Sequence, residues 1–317
     1  MRFFSDKYTY LRIASVILVC AMFIPLCSCA KQSYVDPYEG MVSVCDGRGG
    51  EMWAPLYDNL QVSSFSSDDF YSDGEFVDYK GIEYTALRGI DVSEHQGEIN
   101  WQAVRDDGVE FAIIRAGYRG YSEGKLREDA FFRKNIEGAL AAGLKVGVYF
   151  FSQAVDTEEA SEEARYLLSI ISDYDLSLPV FYDWERVSNV GETRTDTVSG
   201  STITDCCLAF CDIIEETGYE AGVYFFRGLG YHEYELGRLS ELVLWVGAPG
   251  DSPDFYYKHR IWQYSYTGKV NGIEKETDLN ILFEESDKNT VSAAPSIVPG
   301  EIPPPEVTMP DPSDIRS

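Results

Sequence analysis

Positive charge is scarce in this 317-residue chain: 26 Lys and Arg stand against 53 Asp and Glu, a net charge of −27. That balance argues against a nucleic-acid partner, because phosphate binding depends on cationic side chains. Histidine is scarcer still. His95, His232 and His259 do not cluster, and no histidine accompanies the Cys206, Cys207, Cys211 group. With no second cysteine pair at ligand spacing, a zinc site is disfavoured, and no other metal or cofactor is called for. The three thiols fall on a helix pattern and are expected as buried small hydrophobes. No Gly-rich phosphate loop follows the first strand pattern, which weakens a doubly wound open sheet. What the chain does have is apolar and aromatic residues, 44% and 14%, enough for one large domain with extensions.

The uncharged run Ile13–Leu26, preceded by Lys7 and Arg12, is too short for a comfortable membrane span and fits a signal-peptide core. It ends Leu26-Cys27-Ser28-Cys29-Ala30, which resembles a bacterial lipobox. The resemblance implies cleavage before Cys29 and a lipid on its thiol, attaching the chain to the outer face of the membrane. An ordinary cleaved signal, giving a secreted protein, or an uncleaved anchor are the alternatives. The organisation expected is a signal segment over 1–29, an acidic spacer over 30–84 with a short hairpin near Met41–Leu60, a folded domain over 85–284, and a Pro-rich disordered tail over 285–317.

Between residues 85 and 284 strand and helix patterns alternate. Strands are expected at Leu87–Val92, Phe111–Ala116, Leu144–Phe151, Pro179–Trp184, Ala221–Phe226, Leu242–Val246, Arg260–Tyr264 and Glu274–Leu279. Helices fall at 100–108, at 129–142 with Asp129 as cap, at 156–172, and at Thr202–Thr217. Eight strands with crossovers predict an α/β fold, an irregular (β/α)8, TIM-like barrel with few helices in its last third.

Catalytic groups in such a barrel stand at the C-terminal ends of strands. There the sequence places Asp91, Asp183 and Glu185, and the last strand carries Asp278. Asp183 and Glu185, two apart on a strand, face the same side, with Cα atoms roughly 6–7 Å apart. Trp184 between them faces the other way and packs. Close carboxylates push their pKa values apart, so one holds a proton while the other stays ionised. Glycoside hydrolysis needs that pair. With the first and eighth strands adjacent in a closed barrel, Asp91 and Asp278 lie side by side.

The stretch Arg88-Gly89-Ile90-Asp91-Val92-Ser93-Glu94-His95-Gln96-Gly97, followed by Ile99-Asn100-Trp101, resembles the opening of glycoside hydrolase family 25, the Chalaropsis-type lysozymes. Phe111–Ala116, Gly143–Tyr149, Pro179–Glu185, Trp262-Gln263-Tyr264 and Thr277-Asp278-Leu279-Asn280 continue the resemblance across about residues 86–283. The resemblance implies a metal-free N-acetylmuramidase cutting the β-1,4 bond from N-acetylmuramic acid to N-acetylglucosamine in peptidoglycan. Glu185 matches the catalytic acid, Asp183 the second central carboxylate, and Asp91 and Asp278 the flanking acids. Phe150-Phe151 departs from the His that many relatives carry after the Tyr149 position. An anionic wall repels this acidic chain at long range, so the expected lipid would keep it there.

Tyr118, Tyr149, Phe151, Tyr224 and Trp245 end strands at the same mouth and are candidates for sugar stacking, or else barrel core. Gln263 is expected to support Asp278 or to touch substrate. Arg115 is expected to orient Asp91 or its neighbours by an ion pair, and His95 to order a loop. Glu158, Glu159, Glu162 and Glu163 are expected as a solvated helix face. A non-catalytic peptidoglycan-binding lipoprotein on the same barrel is the main competing function, and a chitinase-like barrel a third.

Overall fold

Apolar residues that recur every second position pair into strands. The structure, a computed structural model, describes residues 36–188 and 190–286. The stretch expected as a signal segment, with Cys29, and the expected Pro-rich tail from residue 287 onward lie outside the described residues. Of the described residues, 36–41 belong to a unit separate from the rest, in which Asp36 accepts a hydrogen bond from the Tyr38 N–H at 3.0 Å. From Val42 onward the chain forms one large unit.

Strands β1 (Met41–Cys45) and β2 (Glu51–Pro55) form one small sheet, and β3 (Phe70–Asp73) and β4 (Phe76–Tyr79) another. Then follow β5 (Tyr84–Val92), α1 (Trp101–Asp106), β6 (Phe111–Arg119), β7 (Leu126–Glu128), α2 (Phe132–Ala141), β8 (Lys145–Ser152), α3 (Thr157–Ile171) and β9 (Val180–Trp184). After α4 (Gly200–Glu216) come β10 (Ala221–Phe226), α5 (Arg227–His232), β11 (Val243–Gly247), β12 (Ile261–Gly268) and β13 (Thr277–Glu285).

The main sheet runs β5-β13-β12-β11-β10-β9-β8-β6, and β5 pairs with β6, so eight strands close into a barrel. The expected α/β barrel with few late helices is what forms. One feature departs from a regular (β/α)8 plan: β13 is antiparallel to both its neighbours, β12 and β5. The link between β12 and β13 is a short loop without a helix, and a parallel return needs a long crossover. The last strand starts at Thr277, later than the expected Glu274, and its acid Asp278 lies at its beginning. Reversal puts that beginning at the same mouth as the C-terminal ends of the other strands.

Two apolar layers hold the barrel. Phe111, Ile113, Phe181, Trp245, Ile261 and Leu282 fill the lumen. The opposite strand faces meet the helices through residues such as Val148, Phe150, Ile136, Leu167 and Phe210, each buried side chain worth about 1.5–3 kcal/mol. Gly89 and Gly222 make the lumen possible, because a Cβ at either would strike the ring of Phe111 or Phe181. Helix α3 starts where Asp156 accepts from the Glu159 N–H at 2.9 Å, and Ser199 caps α4 in the same way. Asp129 does not cap α2 directly. That helix begins at Phe132, and Asp129 holds the preceding turn by accepting from the Phe131 N–H at 2.9 Å.

The stretch read as a spacer is folded on the barrel from residue 42 to residue 84. Phe70 and Phe76 are buried. Phe65 packs against Phe283 with ring centroids 4.3 Å apart, and the Arg88 guanidinium binds Asp78 at 2.7 Å and Asp73 at 2.8 Å. Its acidic composition hid an aromatic set, spaced irregularly, that has a barrel end to cover.

Candidate active site

The four acids named from the sequence converge at one mouth. On β5, lumen-facing alternation runs Leu87, Gly89, Asp91; on β9 it runs Phe181, Asp183, with Glu185 one residue beyond the strand end. Asp278 stands directly opposite Asp91 in the antiparallel register. Asp91 and Asp183 are buried, and Glu185 and Asp278 are half-buried.

Asp91 is the best-anchored carboxylate. Its Oδ2 accepts from Gln263 Nε2 at 2.7 Å and Asn280 Nδ2 at 2.8 Å. Burial raises its pKa, and those two donors oppose the rise. Gln263 therefore supports Asp91, where the sequence suggested Asp278 or substrate. Its Oε1 accepts from the Tyr224 hydroxyl at 2.7 Å. Asn280 was quoted in a motif but given no role. Its place two residues after Asp278 on a strand, hence on the same face, was the available signal.

Asp183 has the opposite character. Its Oδ1 is buried without a hydrogen-bond partner among the described residues. Burial, then the charges of Glu185 and Asp91, push its pKa well up, with Arg115 opposing. Burial and the Asp91 charge raise Glu185 to about 7, and burial and Asp91 raise Asp278 to about 9. Four carboxyls crowded into a low-dielectric mouth cannot all ionise. Asp91, with two donors aimed at it, is best fitted to carry the negative charge, and Glu185 retains a proton up to neutral pH.

Arg115 reaches a neighbour of Asp91, Glu94, and no ion pair joins it to Asp91 itself. It pairs with Asp129 at 2.7 Å and Glu94 at 3.3 Å, and Tyr118 stacks on its guanidinium at 5.1 Å. Phe151, Asp183, Tyr224 and Trp245 occupy one register row across four adjacent strands. Trp245 is 2% exposed and donates to Asn280 Oδ1 at 2.8 Å, so it is a floor beneath the mouth and offers no open stacking face. Tyr224 is also buried, whereas Tyr118, Tyr149 and Phe151 are half-buried. Sequence reasoning passed over two exposed rings at the rim, Phe226 and Tyr266. The Tyr266 pKa is raised to about 12 by burial of its hydroxyl and by the charges of Glu185 and Asp278. It also passed over Gln153, fully buried, whose amide donates to the main-chain carbonyl of Glu185 at 2.7 Å.

Behind the barrel wall, Glu163 is no part of a solvated face. It is fully buried on the inner stripe of α3 and accepts from Arg119 Nε at 2.7 Å; burial raises it to about 7. Trp184 packs on this side, its indole N–H donating to the Ala154 carbonyl at 3.2 Å. Cys206, Cys207 and Cys211 are buried free thiols of α4.

The family model of glycosyl hydrolases family 25 matches residues 90–273, which include Asp91, Asp183 and Glu185. The chain belongs to that family. It is 29% identical over 199 residues to the autolytic lysozyme of Clostridium acetobutylicum, an alignment covering 62% of this chain and 56% of that relative. The chain thus spans little more than half of that protein's length. Among solved structures, a bacterial lysozyme from Streptomyces coelicolor superposes with a TM-score of 0.52 at 25% identity, covering 62% of this chain and 91% of that one. The modular autolysin LytC from Streptococcus pneumoniae, solved with a synthetic peptidoglycan ligand, shares the fold with a TM-score of 0.56 at 24% identity, over 77% of this chain and 56% of that one. In this member of family 25 the β1–β2 and β3–β4 sheets precede the matched region.

Proposed function

We propose that this family 25 chain is a lysozyme that hydrolyses the β-1,4 bond between N-acetylmuramic acid and N-acetylglucosamine in peptidoglycan. The observation that carries the reading is Glu185, a half-buried carboxyl at the mouth with its pKa raised to about 7 among three further acids. Glu185 protonates the departing glycosidic oxygen. Asp183 orients the substrate's acetamido group, whose N–H is a donor suited to the unpartnered Oδ1, so that the acetamido oxygen closes on the anomeric carbon as the glycosidic bond breaks; water, giving its proton to Glu185, then attacks that carbon and reopens the ring, and the two inversions retain the configuration. Asp91, whose ionised form the amides of Gln263 and Asn280 favour against burial, stabilises the positive charge that develops on the sugar. The names of similar proteins, an autolytic lysozyme and an N,O-diacetylmuramidase, support the same substrate. The lipobox-like Leu26–Cys29 stretch supports attachment through a lipid on Cys29 to the outer face of the cell membrane.

Digestion of purified peptidoglycan, with identification of the new reducing ends, tests the activity. Muramic reducing ends are expected, and Glu185→Gln is expected to lower turnover about 100-fold or more with glycan binding retained. Wild-type turnover in that variant would end the assignment.

A further inference from the structure

The β1–β2 hairpin lies before the region that matches the family model, so its contribution to the mouth is not part of the matched region. It is clamped in place. The Arg227 guanidinium, ion-paired with Asp254, lies against the backbone of Gly47, whose φ is +72° and where no Cβ would fit. At the other end the Tyr257 hydroxyl bonds the Pro55 carbonyl and the Tyr57 N–H, both at 3.0 Å.

The clamped hairpin forms one wall of a groove of about 400 Å3, contributing Asp46, Arg48 and Met52; Arg186, Phe226 and His232 line the other side. Phe226 joins this opposite wall to the catalytic mouth, standing two residues beyond Tyr224 at the end of β10, whereas the Arg186 side chain turns away from the mouth onto the Trp184 ring at 5.2 Å. The polar groups are unequally committed. Arg186 is taken up by both oxygens of Glu233, at 2.9 and 2.8 Å. Asp46 is taken up by its own turn, accepting from the Arg48 and Gly50 N–H groups at 2.7 and 2.9 Å. The guanidinium of Arg48 makes no hydrogen bond or ion pair among the described residues. Beside it Phe226 keeps 40% of its surface exposed.

We propose that this groove is an accessory subsite for the peptide stem of the glycan strand being cut. Arg48 pairs with a stem carboxylate, and Phe226 and Met52 cover the aliphatic part of the stem. The proposal rests on the peptidoglycan reading above. In that substrate each stem hangs from the lactyl group of a muramic residue, so a strand laid across Glu185 projects stems sideways onto the rim. An acidic mouth in a chain of net charge −27 repels an anionic stem, and the Arg48 guanidinium, which acts on Asp46 through its charge alone and makes no ion pair, offsets the repulsion locally.

The test compares cleavage of peptidoglycan strands bearing intact stems with the same strands stripped of stems by an amidase. Wild-type protein is expected to show kcat/KM about fivefold higher on stem-bearing strands, a preference that shrinks with added salt. Arg48→Glu is expected to erase the preference, and Arg48→Lys to restore part of it. Equal wild-type rates on the two substrates, or an Arg48→Glu loss of the same size on both, would overturn the subsite while leaving the lysozyme reading intact. No wild-type cleavage of either substrate would overturn that reading and the subsite with it.

Discussion

The side-chain amide of Gln153 donates to the main-chain carbonyl of Glu185 at 2.7 Å, and its Oε1 accepts from the Thr195 hydroxyl at 3.1 Å. Glu185 lies just past the last residue of β9, outside the strand ladder that holds Asp183. Gln153 therefore ties the backbone of the proposed proton donor to the end of β8 and to the loop that carries Thr195. Gln153→Met keeps the volume but leaves a carbonyl without its donor, at a cost of about 1–3 kcal/mol. The expected result is a kcat roughly tenfold lower with KM little changed, read by steady-state kinetics on solubilised glycan alongside thermal melting. An unchanged kcat with a lowered Tm would reduce Gln153 to a purely structural role.

On the proposed mechanism, activity depends on a proton that Glu185 holds up to about pH 7. On the alkaline side kcat is expected to fall with an apparent midpoint near that value, and an alkaline limb no different from that of a surface carboxylate would contradict the assignment.

Stability has its own pH dependence. Glu185 and Asp278 have folded-state values of about 7 and about 9, above their ordinary 4.5 and 3.8. Their contribution is fully present below about pH 4 and is lost as pH rises through those folded values. The Tm is expected to decline from mildly acid to alkaline pH, and Glu185→Gln is expected to flatten the part of the decline below about pH 7. A Tm that rises across this range in wild-type protein would contradict the buried-carboxyl picture.

Glu163→Ala takes the buried carboxylate from the Arg119 guanidinium, itself 4% exposed, which keeps Glu162 at 2.8 Å and the Gly124 carbonyl at 2.7 Å. Losing one buried partner while the others remain costs about 1–3 kcal/mol. Chemical denaturation is expected to show a loss of that size, whereas a solvated Glu163 would give almost none.

Phe70→Ala tests whether residues 42–84 belong to the folded body. Phe70 is buried and meets Trp262 with ring centroids 5.6 Å apart. Truncation is expected to destabilise the whole domain by about 3 kcal/mol. A tethered, unpacked spacer would tolerate the change with no shift in Tm.

Local pattern made much of the site legible. Asp183 and Glu185 could be assigned to one face because strand side chains alternate, and Trp184 to the other for the same reason. Helix spacing carried one warning that went unused: Glu163 falls three residues after Ala160 and four before Leu167, on the buried stripe of α3. The aromatic residues of 42–84 gave no such regular signal, since they pack as separate plugs and never as one periodic face.

The sequence by itself determined the eight barrel strands and the main crossover helices, the family to which the chain belongs, and which acids could share a mouth, because alternation and motif spacing are local properties of the chain. Only the tertiary structure decided that the last strand runs backwards, that Gln263 and Asn280 serve Asp91, and that Arg115 turns to Asp129. Those outcomes depend on contacts between distant residues, 189 positions apart for Asp91 and Asn280. Which donor reaches which acid is set by barrel closure and register, and local periodicity carries no record of either.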